Sequence, residues 1–147
     1  MKLLSVSLLC LFSTSILASN LPQSMEELEQ RYLTAYQNKN IDSIYNLIDW
    51  TGVSGYKKKM VKVYTRNSLG KKIIKTEFEA VDETFFNDFS VGEKHFKSNL
   101  AVENLFRIEF DNPQREESLV YLVGKSSEGY QFSLSIKNKI KSNDSDF

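Results

Sequence analysis

Cysteine occurs once in the 147 residues, as Cys10, and histidine once, as His95. A metal centre built from imidazoles or thiolates is therefore excluded, because such sites draw three or four ligands from these side chains. A Ser-His-Asp arrangement would have to use His95, in the segment GEKHFKS, and no G-x-S-x-G elbow accompanies it. His95 reads as a surface histidine in a polar loop. The six glycines form neither a P-loop nor G-x-G-x-x-G and look like turn glycines, so no cofactor is expected. Charge of one sign is also missing: 19 basic residues balance 19 acidic ones. That balance exerts no overall pull toward nucleic acid.

The first twenty residues, MKLLSVSLLCLFSTSILASN, have a basic start at Lys2, an apolar run from Leu3 to Leu17 and a small-residue cleavage site at Ala18-Ser19. This is the anatomy of a secretory signal peptide over residues 1–19. The run is too short and too rich in serine for a membrane span, which needs about 20 apolar residues. Leu9, before Cys10, is too large for a lipoprotein site. The expectation is an exported protein, periplasmic or secreted, without stable membrane insertion once the signal is cleaved. Its mature chain of about 128 residues has no cysteine and carries a formal charge of −1 after loss of Lys2. Such a chain relies on its core rather than on disulfides, and at this length it buries roughly two-thirds of its unfolded surface. Residues 20–141 are expected to form one domain and residues 142–147 a frayed tail.

What is present falls into helices first and strands after. Ser24-Met25-Glu26-Glu27 has the form of a capping box, followed by Met25, Leu28, Tyr32, Ala35 and Tyr36 at spacings of three and four. A C-cap is expected at Asn38-Lys39-Asn40. A second helix fits Asp42 to Asp49, with Ile41, Ile44, Tyr45, Leu47 and Ile48 on its apolar face. Residues 56–66 fit both periods; Ser54 as cap and Asn67-Ser68-Leu69-Gly70 as stop favour a helix. Its apolar face would be Tyr56, Met60, Val63 and Tyr64, with Lys58, Lys62 and Arg66 opposite. Strands are expected over residues 72–81, 100–110, 118–125 and 130–140, the last two joined by a hairpin at Ser126-Ser127-Glu128-Gly129. In the last strand, Tyr130, Phe132, Leu134 and Ile136 would face the core, and Gln131, Ser133, Ser135 and Lys137 water. This order predicts an α+β domain, with N-terminal helices packed on a curved, mostly antiparallel sheet of about four strands.

The segment LEQRYLTAYQNKNIDSIYNLID resembles the start of the NTF2-like (SnoaL-like, cystatin-like-fold) superfamily. An aromatic-x-x-Ala-aromatic element runs from Tyr32 to Tyr36, a polar break from Asn38 to Asp42, and an apolar second helix from Ile44 to Ile48. The likeness is close over residues 24–50 and rests elsewhere on element order. It implies a cone of curved sheet closed by helices, with a pocket at one end. The superfamily includes isomerases, dehydratases, hydrolases and binding modules, so the fold alone assigns no function.

Three groups of residues are candidates for a site. Asp49, with Tyr45 and Tyr36, offers acid/base chemistry if a carboxylate sits beside aromatics with its pKa raised; the alternative is core tyrosines and an acid at a helix end. Trp50, Phe85, Phe86, Phe89 and Phe96 are candidates for contact with a small apolar ligand or a protein partner, a second copy of the chain included. The same phenylalanines could instead plug the open end of the sheet. Lys58, Lys62 and Arg66 belong to an acid-free stretch from Trp50 to Thr76 holding eight positive charges. It is followed by a base-free stretch from Glu77 to Glu93 with six negative ones. The stretch is either a basic face or one half of a cancelling pair, and it lacks the aromatic–arginine interleaving of nucleic-acid binders. Three functions follow: an exported binding module without catalysis, a small periplasmic isomerase or hydrolase using Asp/Glu and Tyr, or a cell-envelope adaptor using the Lys57 to Lys75 face.

Overall fold

A computed structural model describes residues 20–82 and 84–138; the proposed signal peptide and the C-terminal tail lie outside them. Among the described residues three helices precede seven strands. Helix α1 (Met25–Gln37) starts where Ser24 Oγ accepts the Glu27 amide at 3.1 Å. The Glu27 carboxylate reaches back to the Gln23 amide at 2.7 Å and to Arg31, completing the N-terminal cap one residue earlier than a standard capping box. At the other end the left-handed residue is Lys39 (φ 53°) rather than either flanking asparagine.

Helix α2 (Ile41–Tyr45) is shorter than the sequence suggests. Leu47, Ile48 and Asp49 leave it and lie along a strand instead: Ile48 bridges Phe132 in parallel fashion. Phe132 N donates to Leu47 O at 2.8 Å, and Asp49 N to Phe132 O at 2.9 Å. The sheet edge supplies partners that a further helical turn would forgo, and Leu47 and Ile48 stay buried either way. Helix α3 (Gly55–Ser68) settles the divided periodicity of residues 56–66 as helix, with Ser54 Oγ accepting the Lys57 amide.

The main sheet has strand order β1-β4-β5-β6, all antiparallel, from β1 (Ile73–Ala80), β4 (Val102–Phe110), β5 (Glu117–Lys125) and β6 (Tyr130–Ser133). These are the four expected strands, and the domain is α+β. A second sheet was not legible in the sequence. It consists of β2 (Phe89–Val91), β3 (Lys94–Ser98) and β7 (Ser135–Lys137), in the order β2-β3-β7. The final strand is therefore split at Leu134, its halves serving two sheets. At that switch Ser133 is buried rather than wet, because its hydroxyl takes the Leu100 amide and bonds Asn99.

The inner face of the main sheet meets α1 and α2 through Phe106, Ile108, Phe110, Tyr121, Val123 and Phe132. Tyr32, fully buried, stands at the centre, with Phe106, Tyr121 and Phe132 edge-on at 5.6–5.7 Å. Edge-to-face rings of this kind add about 0.5–1.5 kcal/mol per pair beyond their burial. The core is thus filled by rings where a cone-shaped domain could have kept a cavity.

Candidate functional site

The residues suggested for acid/base work are each held in structural roles. Asp49 closes a local turn, its carboxylate accepting the Thr51 amide at 2.9 Å, while its carbonyl accepts from Asn99. The Tyr45 hydroxyl donates to Lys62 O at 3.2 Å, and burial raises its pKa. The Tyr36 hydroxyl is directed at two carbonyls, Ser68 O at the end of α3 and Lys71 O in the connection to β1, and burial again raises its pKa. Both tyrosines thus tie α3 and the segment after it to the helical core through main-chain carbonyls. Trp50 is half-buried beside them, its Nε1 donating to Tyr45 O at 2.9 Å and its ring edge-on to Tyr45.

The clefts on the surface are open, with mixed polar and apolar linings. One of about 580 Å³ runs along α1 and α2 beside Glu27, Arg31, Thr34, Asn38 and Ser43. Its carboxylate, Glu27, is held below the usual range by the Gln23 amide and by Arg31. Another, of about 390 Å³, lies where Tyr36 meets Gly70, Lys71 and Ile73. Every carboxylate whose pKa is displaced is displaced downward, Glu117 by Lys71 and Asn112 and Glu77 by Lys75 among them. A general base near neutrality needs the opposite displacement. Among the described residues no group of three or more His, Cys, Asp and Glu is arranged to hold a metal.

The phenylalanine candidates do come together, though outside the core. Strands β2 and β3 form a hairpin turning at Gly92 (φ 61°), with Phe89 opposite Phe96. The rings run in series, Phe85 on Phe86 at 4.7 Å, Phe86 on Phe89 at 4.8 Å, and Phe89 stacked on Phe96 at 5.6 Å. None of the four belongs to the main core cluster. Phe86 has φ 57°, a left-handed conformation costly for a bulky residue, and its ring remains 37% exposed. His95 lies in β3 rather than in a loop, with Nδ1 3.0 Å from Ser90 Oγ.

The basic stretch divides at Gly70. Beyond it, Lys71 pairs with Glu117, Lys72 with Asp111 and Lys75 with Glu77 and Glu109, while Arg107 links Glu77 to Glu79. These lysines are thus neutralised mostly by acids of β4, β5 and the turn between them, and only Glu77 of the adjacent acidic block takes part. On α3, Lys58, Lys59, Lys62 and Arg66 form no ion pair among the described residues. Lys62 Nζ instead sits 4.9 Å from the Tyr45 ring centroid and 5.9 Å from that of Trp50. Lys57 turns inward and donates to Ser135 O at 2.7 Å, its pKa lowered by burial.

No protein-family model matches the chain, and no curated protein matches it. Among solved structures, one from Thiobacillus denitrificans, described as a calcium/calmodulin-dependent protein kinase type II association domain, is similar with a TM-score of 0.42. The identity is 8%, over 82% of this chain and 98% of that one. At that score and identity the likeness assigns neither a family nor a function.

Sequence reasoning missed two features of this surface. The hairpin escaped because its first strand is three residues long and its phenylalanines are split between a turn and two strands. The outward orientation of α3's apolar residues escaped because apolar stripes are normally read as buried. The signal for the second was present: Thr65 and Ser68, the buried residues of α3, recur with Val61 at helical spacing.

Proposed function

We propose that this chain is an exported interaction module, released by signal cleavage near residue 19, that associates with a second copy of itself through the β2–β3 hairpin. The observation that carries the reading is the state of the sheet edges. Unpaired edges invite pairing with another chain unless they are covered or charged. The β1 edge carries Lys75, Glu77 and Glu79. The β6 edge is covered by Leu47–Asp49. On β7, Ser135 O is taken by Lys57, and Ile136 lies against Gly52. Strand β2 is uncharged, is the terminal strand of its sheet, and bears Val91 at 63% exposure beside the phenylalanine row.

An uncharged edge of three residues suits an isologous contact, in which the same edge meets itself across a two-fold axis. Phe86 and Val91, both exposed, and the partly buried rings beside them supply the apolar area that so short a ladder lacks. The filled core and the structural duties of Asp49, Tyr45 and Tyr36 favour this reading over acid/base catalysis and over a small ligand held inside the sheet. The resemblance to NTF2-like proteins, a superfamily rich in binding modules, agrees with it.

Sedimentation equilibrium of the chain from residue 20 onward tests the proposal. The expected result is a monomer–dimer equilibrium that Val91→Lys shifts to monomer without altering the circular dichroism spectrum. A monomer at every concentration would remove the proposal.

A further inference from the structure

Helix α3 breaks two local rules at once. Its buried residues are Thr65 and Ser68, whereas Tyr56, Val63 and Tyr64 are 76%, 47% and 60% exposed. It also opens with Lys57, Lys58 and Lys59 and has no acid in its first turn. Cations at a helix N-terminus oppose the helix dipole, so this arrangement works against the stability of the helix that carries it. Local rules broken without a compensating gain in the fold mark positions retained for another purpose.

At 100° per residue, Lys59, Val63 and Tyr56 form the centre of the outward face. Lys62 and Arg66 flank it on one side, Met60 and Tyr64 on the other. The face is thus half cationic and half apolar, and it is the convex surface of a helix. No ion pair within the described residues neutralises Lys58, Lys59, Lys62 or Arg66, although the cations just past Gly70 are all paired.

We infer that α3 is a docking helix for an anionic lipid surface, lying parallel to it with Tyr56, Val63 and Tyr64 at the level of the headgroups. Charge complementarity selects an anionic partner, and the residue types select a bilayer over an acidic protein. Three of the four unpaired cations, Lys58, Lys59 and Lys62, are lysines, point charges on flexible stems that suit a diffuse layer of phosphates. Tyrosine suits such an interface because its ring is apolar and its tip polar. Adsorption of this kind combines apolar contact with attraction to anionic headgroups and is reversible. Among the described residues no helix is long and apolar enough to cross a membrane, so the contact is with the surface.

The test is cosedimentation of the chain from residue 20, which holds all of the described core. It uses phosphatidylcholine vesicles with and without phosphatidylglycerol. Binding is expected only with phosphatidylglycerol, weakening as salt rises. Lys59→Glu/Arg66→Glu should reduce it by about tenfold or more. Tyr56→Ser/Tyr64→Ser should also reduce it. Lys97→Glu/Lys125→Glu, with the same change in net charge, should leave it unaltered. Lys59→Glu favours the helix dipole, so lost binding in that variant would not reflect a lost helix. Equal binding to both vesicle types, or none to either, would overturn the inference. Tight binding to soluble polyglutamate that is insensitive to the tyrosine substitutions would also overturn it and assign the face to an acidic chain.

Discussion

The rings of Tyr32 and Tyr121 meet at 5.6 Å and 64°, and both hydroxyls are buried without a hydrogen bond of normal geometry. Each hydroxyl perturbs the other's ionisation, and Thr65 of α3 approaches Tyr121. A buried polar group left unsatisfied costs about 1–3 kcal/mol. Tyr32→Phe and Tyr121→Phe are therefore expected to be neutral or stabilising in urea unfolding, by up to about 1 kcal/mol. A loss beyond about 1 kcal/mol in either variant would mean that the hydroxyls are well paired.

The same burial fixes a pH dependence. Desolvation raises the pKa of Tyr32, Tyr36, Tyr45 and Tyr121 above the ordinary value of 10.0. A pKa raised on folding contributes stability that is complete below the unfolded value and is lost as pH rises past it. The urea midpoint should therefore fall with increasing pH above about 10. Tyr32→Phe/Tyr121→Phe should flatten the fall, and an unchanged slope would contradict the account.

Tyr36 and Tyr45 both fasten α3 through main-chain carbonyls, with unequal strength. Tyr36 is directed at Ser68 O and Lys71 O, Tyr45 at Lys62 O alone at 3.2 Å. Tyr36→Phe should cost about 1–2 kcal/mol and Tyr45→Phe less than about 1 kcal/mol. Hydrogen exchange should show the Tyr36→Phe loss concentrated at the C-terminal end of α3.

Gly124 marks a close approach of backbones. A Cβ there would lie 2.5 Å from Ala101 O and 2.7 Å from the Leu100 Cβ. Strand β5 and the segment entering β4 cannot both keep their places, so Gly124→Ala should destabilise by about 1–3 kcal/mol in thermal unfolding. An unchanged midpoint would show that the segment yields freely.

Much of this architecture was legible because local signals agree with the fold. Ser24 and Glu27 cap α1, the stripe through Tyr32 and Tyr36 faces the core, and the four strands of the main sheet stand where alternation or apolar runs suggested them, the last only as far as Ser133. The departures are tertiary in origin. Helix α2 stops early because the Phe132 backbone recruits Leu47–Asp49. The last strand changes sheets at Leu134 because Asn99 Oδ1 accepts the Leu134 amide and bonds the Ser133 hydroxyl. Tyr56, Val63 and Tyr64 of α3 face outward, while Val61, Thr65 and the hydroxyls of Tyr36 and Tyr45 hold the helix down. Of the residues singled out for chemistry, Asp49, Tyr45 and Tyr36 each make side-chain hydrogen bonds to the main chain. The four phenylalanines were recognisable as a group, while their place beside an open sheet edge depended on a three-residue strand that composition does not announce.

Self-association through β2 is tested most directly by a disulfide. The chain beyond Cys10 has no cysteine, so a single introduced thiol reports one position. With residues 20 onward as background, Ser90→Cys at the centre of β2 should cross-link to its own copy under mild oxidation. Ala80→Cys, on the edge strand β1, should remain monomeric. Cross-linking at Ser90 with none at Ala80 is the predicted result; no cross-link at Ser90, or equal yields at both positions, would contradict it.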